Sequence, residues 1–496
     1  MTTLSDAKAT ECMNDDLSTG VPSHSRDDLE RKLLRKLDLR MSIIIVLYAL
    51  NFVSLSHRRI LSVCNFVLTA YHGQVDRANA SSARLATFEQ DLHLQGNQYA
   101  RILSIVYVGY ILMQVPANMV LHWLEKPSIL IPGSMVIWGL VSTLTGFYTG
   151  ILLARFFLGF VEAPFYPGVL YLISGWYKRD ELAVRTTLVT CGSVLASGFG
   201  AVFASGILTG MQGKLGQAAW RWLFYIEGGA TILVAICAFS ILPDFPHNTK
   251  WLTPEERALA ISRLAADGTD ELGKRTTMQG LRDAVCDWKV WWFSVALTIQ
   301  FVALSFVIYF PTIVATLGYD TTNTLLLCAP PWVFSTIVAF VISRYSDKAQ
   351  KRYVFLLASS ALAGVGFIIS ICTMNTAARY TSVFLMAQIS AAYMVIWGWI
   401  NNIFAREPAK RAVAIALING LSQTGNIIGA YVWPINWGPT YRYSYAICLA
   451  ALGGSTSMFG VMYLHLKRVN ERIERDERNA KDINNLPNPV GFRYLV

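Results

Sequence analysis

Apolar runs separated by short polar segments repeat along the chain between residues 41 and 465. Most of these runs hold about 20 residues, the length of an α-helix that crosses the roughly 30 Å apolar core of a bilayer. The pattern predicts an all-α membrane protein with twelve spans, at about 41–56, 99–123, 128–147, 150–174, 185–211, 220–242, 289–316, 324–345, 353–374, 380–404, 412–435 and 441–465.

The longest polar connection between two spans lies between the sixth and the seventh. It divides the chain into a cytosolic tail at 1–40, a six-helix half at 41–242, a cytosolic linker at 243–288, a second six-helix half at 289–466 and a cytosolic tail at 467–496. Within the linker, LTPEERALAISRL predicts an amphipathic surface helix. Thr253 is its expected N-cap, and Pro254 is expected at the first helical position.

Positive charges indicate which loops face the cytosol. The loops WYKRDELAVR, SRYSDKAQKRY and AREPAKRA contain Lys178, Arg179, Arg185, Arg344, Lys348, Lys351, Arg352, Arg406, Lys410 and Arg411. The alternate loops GFYTG, LGYDTTN and MNTAARY contain one cation, Arg379. Because Lys and Arg concentrate in the cytosolic loops of membrane proteins, the basic loops and both termini are predicted to be cytosolic.

Composition supports the membrane assignment and excludes other classes. The chain has 496 residues, of which 54% are hydrophobic and 15% charged, against about 25% charged in a typical soluble domain. The net charge of +10 follows from the basic cytosolic loops, so we expect no nucleic-acid partner. The eight cysteines form no CxxC pair and are interpreted as small buried apolar residues, which leaves no metal site. No nucleophile motif or nucleotide-binding loop indicates an enzyme.

The two halves resemble each other in sequence. KRDELAVRTTL leads into the fifth span much as REPAKRAVAIAL leads into the eleventh. Small residues four apart, such as Gly425 and Gly429, let helices approach closely, and packing is their expected role. Two similar halves joined by a cytosolic linker are typical of transporters that rock about a site at the middle of the membrane.

Arg155 and Glu162 are charged residues inside the fourth span. They lie seven residues apart, two helical turns, and therefore share a face. A charge at mid-bilayer costs roughly 2.5–3.5 kcal/mol on insertion scales, so such residues usually face a cavity and have a partner. Glu162 is thus a candidate for proton coupling, with a structural salt bridge to Arg155 as the alternative. The sixth-span pair Arg221 and Glu227 is interpreted as structural.

Several long motifs resemble a known family. YVGYILMQVPANM, LARFFLGFVEAPFYPGVLYLISGWYKRDELAVR and WRWLFYIEGGATILVAICAFSILPDFPHNTKWLTPEERALAISRL are similar to the anion:cation symporter family of the major facilitator superfamily, in its fungal allantoate-permease-like branch. The resemblance covers about residues 38–467 apart from one segment. It implies a twelve-helix fold and proton-coupled uptake of a small organic anion, such as a ureido acid or a vitamin-like carboxylate.

The resemblance also implies roles for individual residues. An Asp-Arg pair of the family's first helix matches Asp76, expected in proton coupling, and Arg77, expected to meet the substrate anion. The loop SRYSDKAQKR is similar to the superfamily's gating loop, which makes Asp347, Lys348 and Arg352 candidate gate residues. The corresponding loop after the second span, HWLEKPS, lacks the Gly and Arg of that pattern.

Polar residues inside the spans are candidates for lining the cavity. With Arg155 and Arg77 they form the predicted substrate site: Asn51, Tyr110, Gln114 and Gln300. Gln388, Asn401, Asn402 and Gln423 are further candidates for lining the cavity. Each such residue alone is equally compatible with a hydrogen bond between two helices.

The first span is interrupted. LYALNF ends at Phe52 and VDRAN begins at Val75; deleting residues 53–74 gives IIIVLYALNFVDRANASSARL, a continuous helix that contains the Asp-Arg pair. The deleted stretch starts with Val-Ser, which codons beginning with GT can encode, and ends with Gln, which a codon ending in AG can encode. GT and AG are the bases at the two ends of an intron. Removal of the stretch keeps the reading frame. We interpret residues 53–74 as a retained intron. The alternative is a genuine extracellular loop.

The sequence therefore predicts a secondary transporter that imports a small organic anion with protons by alternating access. Two alternatives remain, an exporter of a secondary metabolite and a nutrient sensor that does not transport. We expect no cofactor other than the proton gradient as driving force, and a monomer in the lipid bilayer of the plasma membrane or an internal membrane such as the vacuolar one.

Overall fold

The computed structural model describes residues 79–124, 126–146, 150–177, 179–249, 252–266, 277–404, 408–479 and 493–494. Over these ranges the chain is helical and contains no strand. The predicted first span, the segment 53–74 and the site residues Asn51, Asp76 and Arg77 lie outside the described residues. The other eleven predicted spans all coincide with helices.

The N-terminal half contains seven described helices: α1 (Phe88–Asp91), α2 (Gln98–Leu124), α3 (Pro127–Thr145), α4 (Ile151–Glu162), α5 (Phe165–Ser174), α6 (Arg179–Gly210) and α7 (Ala219–Ile241). Two helices lie in the linker, α8 (Pro254–Ala266) and α9 (Thr277–Cys286). The C-terminal half contains α10 (Trp288–Ala303), α11 (Phe310–Ala315), α12 (Thr321–Ala349), α13 (Tyr353–Cys372), α14 (Thr376–Ala387), α15 (Ile389–Ile403), α16 (Pro408–Ser422), α17 (Thr424–Gly429) and α18 (Arg442–Asn479).

Seven of the described helical stretches are long and apolar enough to cross a bilayer. Large apolar side chains on their outer faces are exposed, for example Leu153, Leu233 and Ile337. In a soluble protein such a surface would be unfavourable, whereas in a bilayer it contacts lipid tails. The chain is therefore a multi-pass membrane protein.

Four spans that the sequence predicts as single helices are divided. The fourth breaks into α4 and α5 at Ala163 and Pro164, and the seventh into α10, a 3₁₀ turn at Leu304–Val307 and α11. Proline lacks the amide hydrogen of the helix ladder, which accounts for the breaks before or near Pro164 and Pro311. The tenth and eleventh spans break at Gln388 and Gln423, and no proline stands at or beside either break.

Close helix contacts set the arrangement within each half. A Cβ on Gly109 of α2 would overlap the carbonyl of Phe156, and a Cβ on Gly159 of α4 would overlap the carbonyl of Val106. α2 and α4 therefore pack backbone to backbone, which small residues make possible in membranes. Gly425 of α17 is packed in the same way against the carbonyl of Thr298 on α10, as the packing interpretation of that glycine predicts.

The two halves meet mainly along the pair α6 and α12 and where α2 packs against α16 and α17. At the outer end of the first pair, Ser205 Oγ donates to the Thr322 carbonyl (3.2 Å), and the hydroxyls of Thr209 and Thr322 are 2.9 Å apart. Asp320 caps α12 beside this contact. The hydrogen bond from the Asn323 side chain to its carboxylate lowers the pKa of Asp320.

The linker helix α8 begins where the sequence predicts. The Glu256 amide donates to Thr253 Oγ1 (3.2 Å), and the Thr253 amide donates to Glu256 Oε2 (3.1 Å). This reciprocal pair is a capping box, which satisfies two amide hydrogens at the start of the helix.

Candidate substrate cavity

A cavity lies between the two halves, with an empty volume of about 740 Å³ that includes space open to solvent. Helices α2, α4 and α6 supply one side of its wall, and α12 and the divided seventh span supply the other. Its lining consists of Ser81, Ser82, Leu103, Val106, Tyr107, Arg155, Ser197, Ala201, Val307, Ile308, Phe310, Pro311, Cys328 and Trp332. The break between α10 and α11 thus contributes directly to the cavity wall.

Arg155 is the charged residue in this lining. Its side chain is only 2% exposed, and its guanidinium carbon lies 5.3 Å from the centre of the Phe224 ring. A guanidinium keeps its charge even when buried, and its planar fork binds a carboxylate through two parallel hydrogen bonds. The cavity therefore has a fixed positive charge in its N-terminal wall.

Glu162 shares the buried face of α4 with Arg155, as the sequence predicts. The buried residues of that helix are Arg155, Leu158, Gly159 and Glu162, and Glu162 is 7% exposed. Glu162 is not part of the cavity lining. It lies two turns further toward the cytosolic end of the same helix face.

Hydroxyl groups and aromatic rings complete the lining. Ser81, Ser82, Ser197 and Tyr107 can each donate and accept a hydrogen bond. On the C-terminal side, the Phe310 and Trp332 rings pack with their centres 4.7 Å apart and form an apolar wall. One cation, several hydroxyls and an aromatic face suit a small anion with further hydrogen-bonding groups.

The sequence singles out none of these hydroxyl and aromatic residues. Serines and aromatics occur in every span, and nothing local distinguishes those that face the cavity. Tyr107 lies three residues before the predicted Tyr110 on the same helix face, but that position does not identify it, because Tyr110 itself does not line the cavity.

Tyr110 and Gln114 are buried where α2 meets the C-terminal half, and neither lines the cavity. Asn419 Nδ2 on α16 donates to Tyr110 Oη (3.4 Å). Gln114 is 1% exposed, and both polar atoms of its amide lack a hydrogen-bond partner among the described residues.

A row of amide side chains extends from this contact along the eleventh span. Gln423 Nε2 donates to Asn419 Oδ1 (3.4 Å), and Asn426 Nδ2 donates to Gln423 Oε1 (2.7 Å). The row and Tyr110 form a buried polar seam between the halves. Gln423, a cavity candidate in the sequence, is the residue at which that span breaks.

Gln300 lies elsewhere. It is buried in α10, and the Ser455 hydroxyl of α18 donates to its Oε1 (2.5 Å). It faces a helix interface of the C-terminal half and not the cavity lining.

The candidate gate residues lie at the turn between α12 and α13. Lys348 is exposed, whereas Arg352 is buried and donates to Ser346 Oγ (3.2 Å). The structure does not describe the side chain of Asp347. Arg352 thus stabilises its own turn.

Glu227 has a partner in the segment that follows the Asp-Arg pair, because Asn79 Nδ2 donates to Glu227 Oε2. Both side chains are buried. This hydrogen bond ties α7 to the helical stretch at residues 79–83 and agrees with a structural role for Glu227. Among the described residues, no group of three or more His, Cys, Asp or Glu could hold a metal ion.

Comparisons with known proteins agree with this architecture. A family model described as Major Facilitator Superfamily matches residues 73–430. The MFS-type transporter cnsO of Penicillium expansum is 32% identical over 85% of this chain and 80% of its own, and a putative tartrate transporter of Agrobacterium vitis is 28% identical over 81% and 84%.

Solved structures show the same fold. The crystal structure of the D-xylose–proton symporter superposes with a TM-score of 0.58 at 14% identity and covers 79% of this chain and 96% of that one. With a family model that matches well over half of the chain, and with a transporter relative above 30% identity, the chain belongs to the major facilitator superfamily and is a membrane transporter of small molecules, not an enzyme.

Proposed function

We propose that this transporter imports a small organic anion together with protons, in the manner of the allantoate-permease-like branch that its motifs resemble. The observation that carries the proposal is the buried Arg155 guanidinium in the wall of the cavity between the halves. A permanent cation placed there attracts an anion and repels a cation, and the surrounding hydroxyls bind its polar groups.

The anion class is a carboxylate. The planar fork of Arg155 matches the two oxygens of that group, and the relative named as a putative tartrate transporter supports a hydroxylated carboxylate as the first probe. In this proposal Arg77 adds a second guanidinium from the first span, and Asp76 and Glu162 carry the protons.

Proton coupling needs a carboxyl that reaches each side of the membrane in turn. Glu162 lies on the same buried helix face as Arg155, so binding of an anion at the arginine changes the electrostatic environment of the carboxyl. An incoming anion and a proton taken up together leave the site less charged than the anion alone, which eases its movement through a low-dielectric interior.

The test is uptake by purified protein in lipid vesicles. Tartrate and a panel of mono- and dicarboxylates are supplied outside under an inward proton gradient. We expect saturable uptake that a protonophore abolishes, that Arg155→Gln removes and that Arg155→Lys retains weakly. Arg101→Gln is the matched control, because Arg101 is exposed on α2. Gradient-independent uptake would contradict coupling, and accumulation only by vesicles of the opposite orientation would favour the exporter.

A further inference from the structure

Another arginine whose side chain is mostly buried, Arg84, lies near the outer end of the cavity. It follows the helical stretch at residues 79–83, and its guanidinium carbon lies 4.4 Å from the centre of the Tyr99 ring in the first turn of α2. α2 starts on the outer side, because the cytosolic loop before α3 follows its other end. Arg84 is therefore on the outer side of Arg155.

Contacts within the N-terminal half fix the Arg84 side chain. Its Nε forms an ion pair with Glu89 Oε1 at 2.9 Å, and the side chains are 7% and 23% exposed. Tyr99, under the guanidinium, donates its hydroxyl to the carbonyl of Ala80 (3.2 Å). The arginine is held in one orientation by residues that move with its own half.

The C-terminal half covers the other side of Arg84. The Tyr309 ring centre lies 5.6 Å from the guanidinium carbon, and the Tyr99 and Tyr309 ring centres are 6.0 Å apart. Tyr309 is fixed by a hydrogen bond from its hydroxyl to the Ala430 carbonyl (2.7 Å) and by stacking on Trp433. Arg84 is thus enclosed by one tyrosine from each half.

One hydrogen-bond donor of the Arg84 guanidinium has no acceptor among the described residues. This donor, Nη1, is buried. An unpaired buried donor on a charged group is costly, so its retention needs a reason beyond packing. Ser81 and Ser82, which line the cavity, precede Arg84 in the same segment.

We propose that Arg84 is an outer anion-binding site, which Tyr309 covers in this conformation and uncovers when the halves separate on the outer side. The proposal rests on the proposed carboxylate transport, and it adds a second station for the anion. The carboxylate first accepts hydrogen bonds from Arg84, including Nη1, and then passes the hydroxyls of Ser81 and Ser82 to Arg155. Glu89 competes with the anion for the same guanidinium.

Competition between Glu89 and the anion for Arg84 predicts KM shifts of opposite direction, which a purely structural role would not produce. In vesicle uptake of tartrate, Arg84→Gln should raise KM about tenfold, because hydrogen bonds to a charged group are lost. Arg84→Lys should give an intermediate KM, because it keeps the charge and loses the fork. Glu89→Gln should lower KM about threefold, since the Glu89 carboxylate no longer competes with the anion for the Arg84 guanidinium. Arg101→Gln is the control for the loss of an outer positive charge.

If the Arg84–Glu89 ion pair only stabilised the fold, Arg84→Gln and Glu89→Gln would shift KM in the same direction. A higher or unchanged KM for Glu89→Gln, or an unchanged KM for Arg84→Gln, would overturn the site. Melting temperatures of each variant in detergent, without tartrate, show whether it folds. If Arg84→Gln does not fold, the opposite shifts expected of Arg84→Lys and Glu89→Gln still decide.

Stabilisation of the purified protein by tartrate separates this proposal from the proposed function. Suppose that tartrate stabilises the protein, that Arg84→Gln removes this stabilisation, and that no uptake is seen. The outer site would then stand, and transport of this anion class would be overturned. Stabilisation and uptake that depend on Arg155 and are unchanged in Arg84→Gln would overturn the outer site and keep the proposed function. If no carboxylate of the panel stabilises the protein or is taken up, both the outer site and the proposed function are overturned.

Discussion

Asn419 of the C-terminal half donates a hydrogen bond to Tyr110 of the N-terminal half across 3.4 Å, in an interface where both side chains are buried. The bond joins α2 to α16, two helices that belong to the parts of the molecule expected to move against each other. It is one end of the amide row that continues through Gln423 to Asn426.

The Tyr110–Asn419 bond should be measurable as a coupling energy. In a double-mutant cycle of Tyr110→Phe and Asn419→Leu, melting in detergent should show non-additivity of about 1 kcal/mol, the usual net value of one such bond. Tyr110→Phe combined with Ser455→Ala, whose hydroxyl bonds Gln300 instead, should be additive. Additivity in both cycles would mean that the long bond contributes nothing.

Arg379 should be a main stabiliser of the outer loops of the C-terminal half. It is 2% exposed and donates to Thr316 Oγ1 (3.1 Å) and to the carbonyls of Pro439 (3.3 Å) and Thr440 (2.9 Å). Arg379→Ala leaves these acceptors buried without a donor and should lower the free energy of unfolding by about 3 kcal/mol. Arg442→Ala, at an exposed position in the same region, should melt like the unchanged protein.

Gly159→Ala should disrupt the contact between α2 and α4. The added methyl meets the backbone carbonyl of Val106, which cannot move aside like a flexible side chain. We expect a loss of about 3 kcal/mol or more, together with displacement of Arg155 on the same helix and loss of uptake. Gly206→Ala on α6 is the control, because its Cβ would meet no atom within 4 Å. Equal melting temperatures for the two variants would contradict this account of the glycine.

Glu162→Gln should separate binding from coupling. The amide keeps the shape of the carboxyl and resembles its protonated form, so exchange of substrate across the membrane should continue while accumulation driven by the proton gradient is lost. The comparison is uptake against counterflow in the same vesicles. Glu255→Gln on the exposed face of α8 should change neither. A Glu162→Gln protein that still concentrates substrate would exclude this residue as the coupling carboxyl.

Removal of residues 53–74 should improve function. Joining Phe52 to Val75 restores a first span of ordinary length and places Arg77 at the depth where an anion can reach it. It also removes His57, Arg58 and Arg59 from the expected outer end of that span. Surface expression and uptake of the shortened and full chains give the comparison. Within the shortened chain, Arg77→Lys should weaken anion binding.

The genomic bases at the two ends of the segment give an independent check. Bases other than GT at Val53, or transcripts that all retain the segment, would show that it is a genuine loop. Equal surface expression and transport by both chains would also contradict the placement of Asp76 and Arg77 in the cavity.

The sequence alone determined the class of the protein. Apolar runs of bilayer length define eleven spans that the structure describes, because each span must satisfy its own backbone hydrogen bonds and the pattern is therefore local. The basic loops predict the orientation, because Lys and Arg concentrate on the cytosolic side of a membrane protein. The seven-residue spacing of Arg155 and Glu162 was sufficient to place them on one buried face, since helix geometry alone fixes that relation.

Only the tertiary structure decided which polar residues line the cavity. Arg155 does, whereas Gln300 bonds Ser455 and Tyr110 bonds Asn419, and no local pattern distinguishes these outcomes. The enclosure of Arg84 by Tyr99 and Tyr309 also depends on segments far apart in the chain. A helix period shows which residues share a face, but what that face meets is a property of the packed bundle.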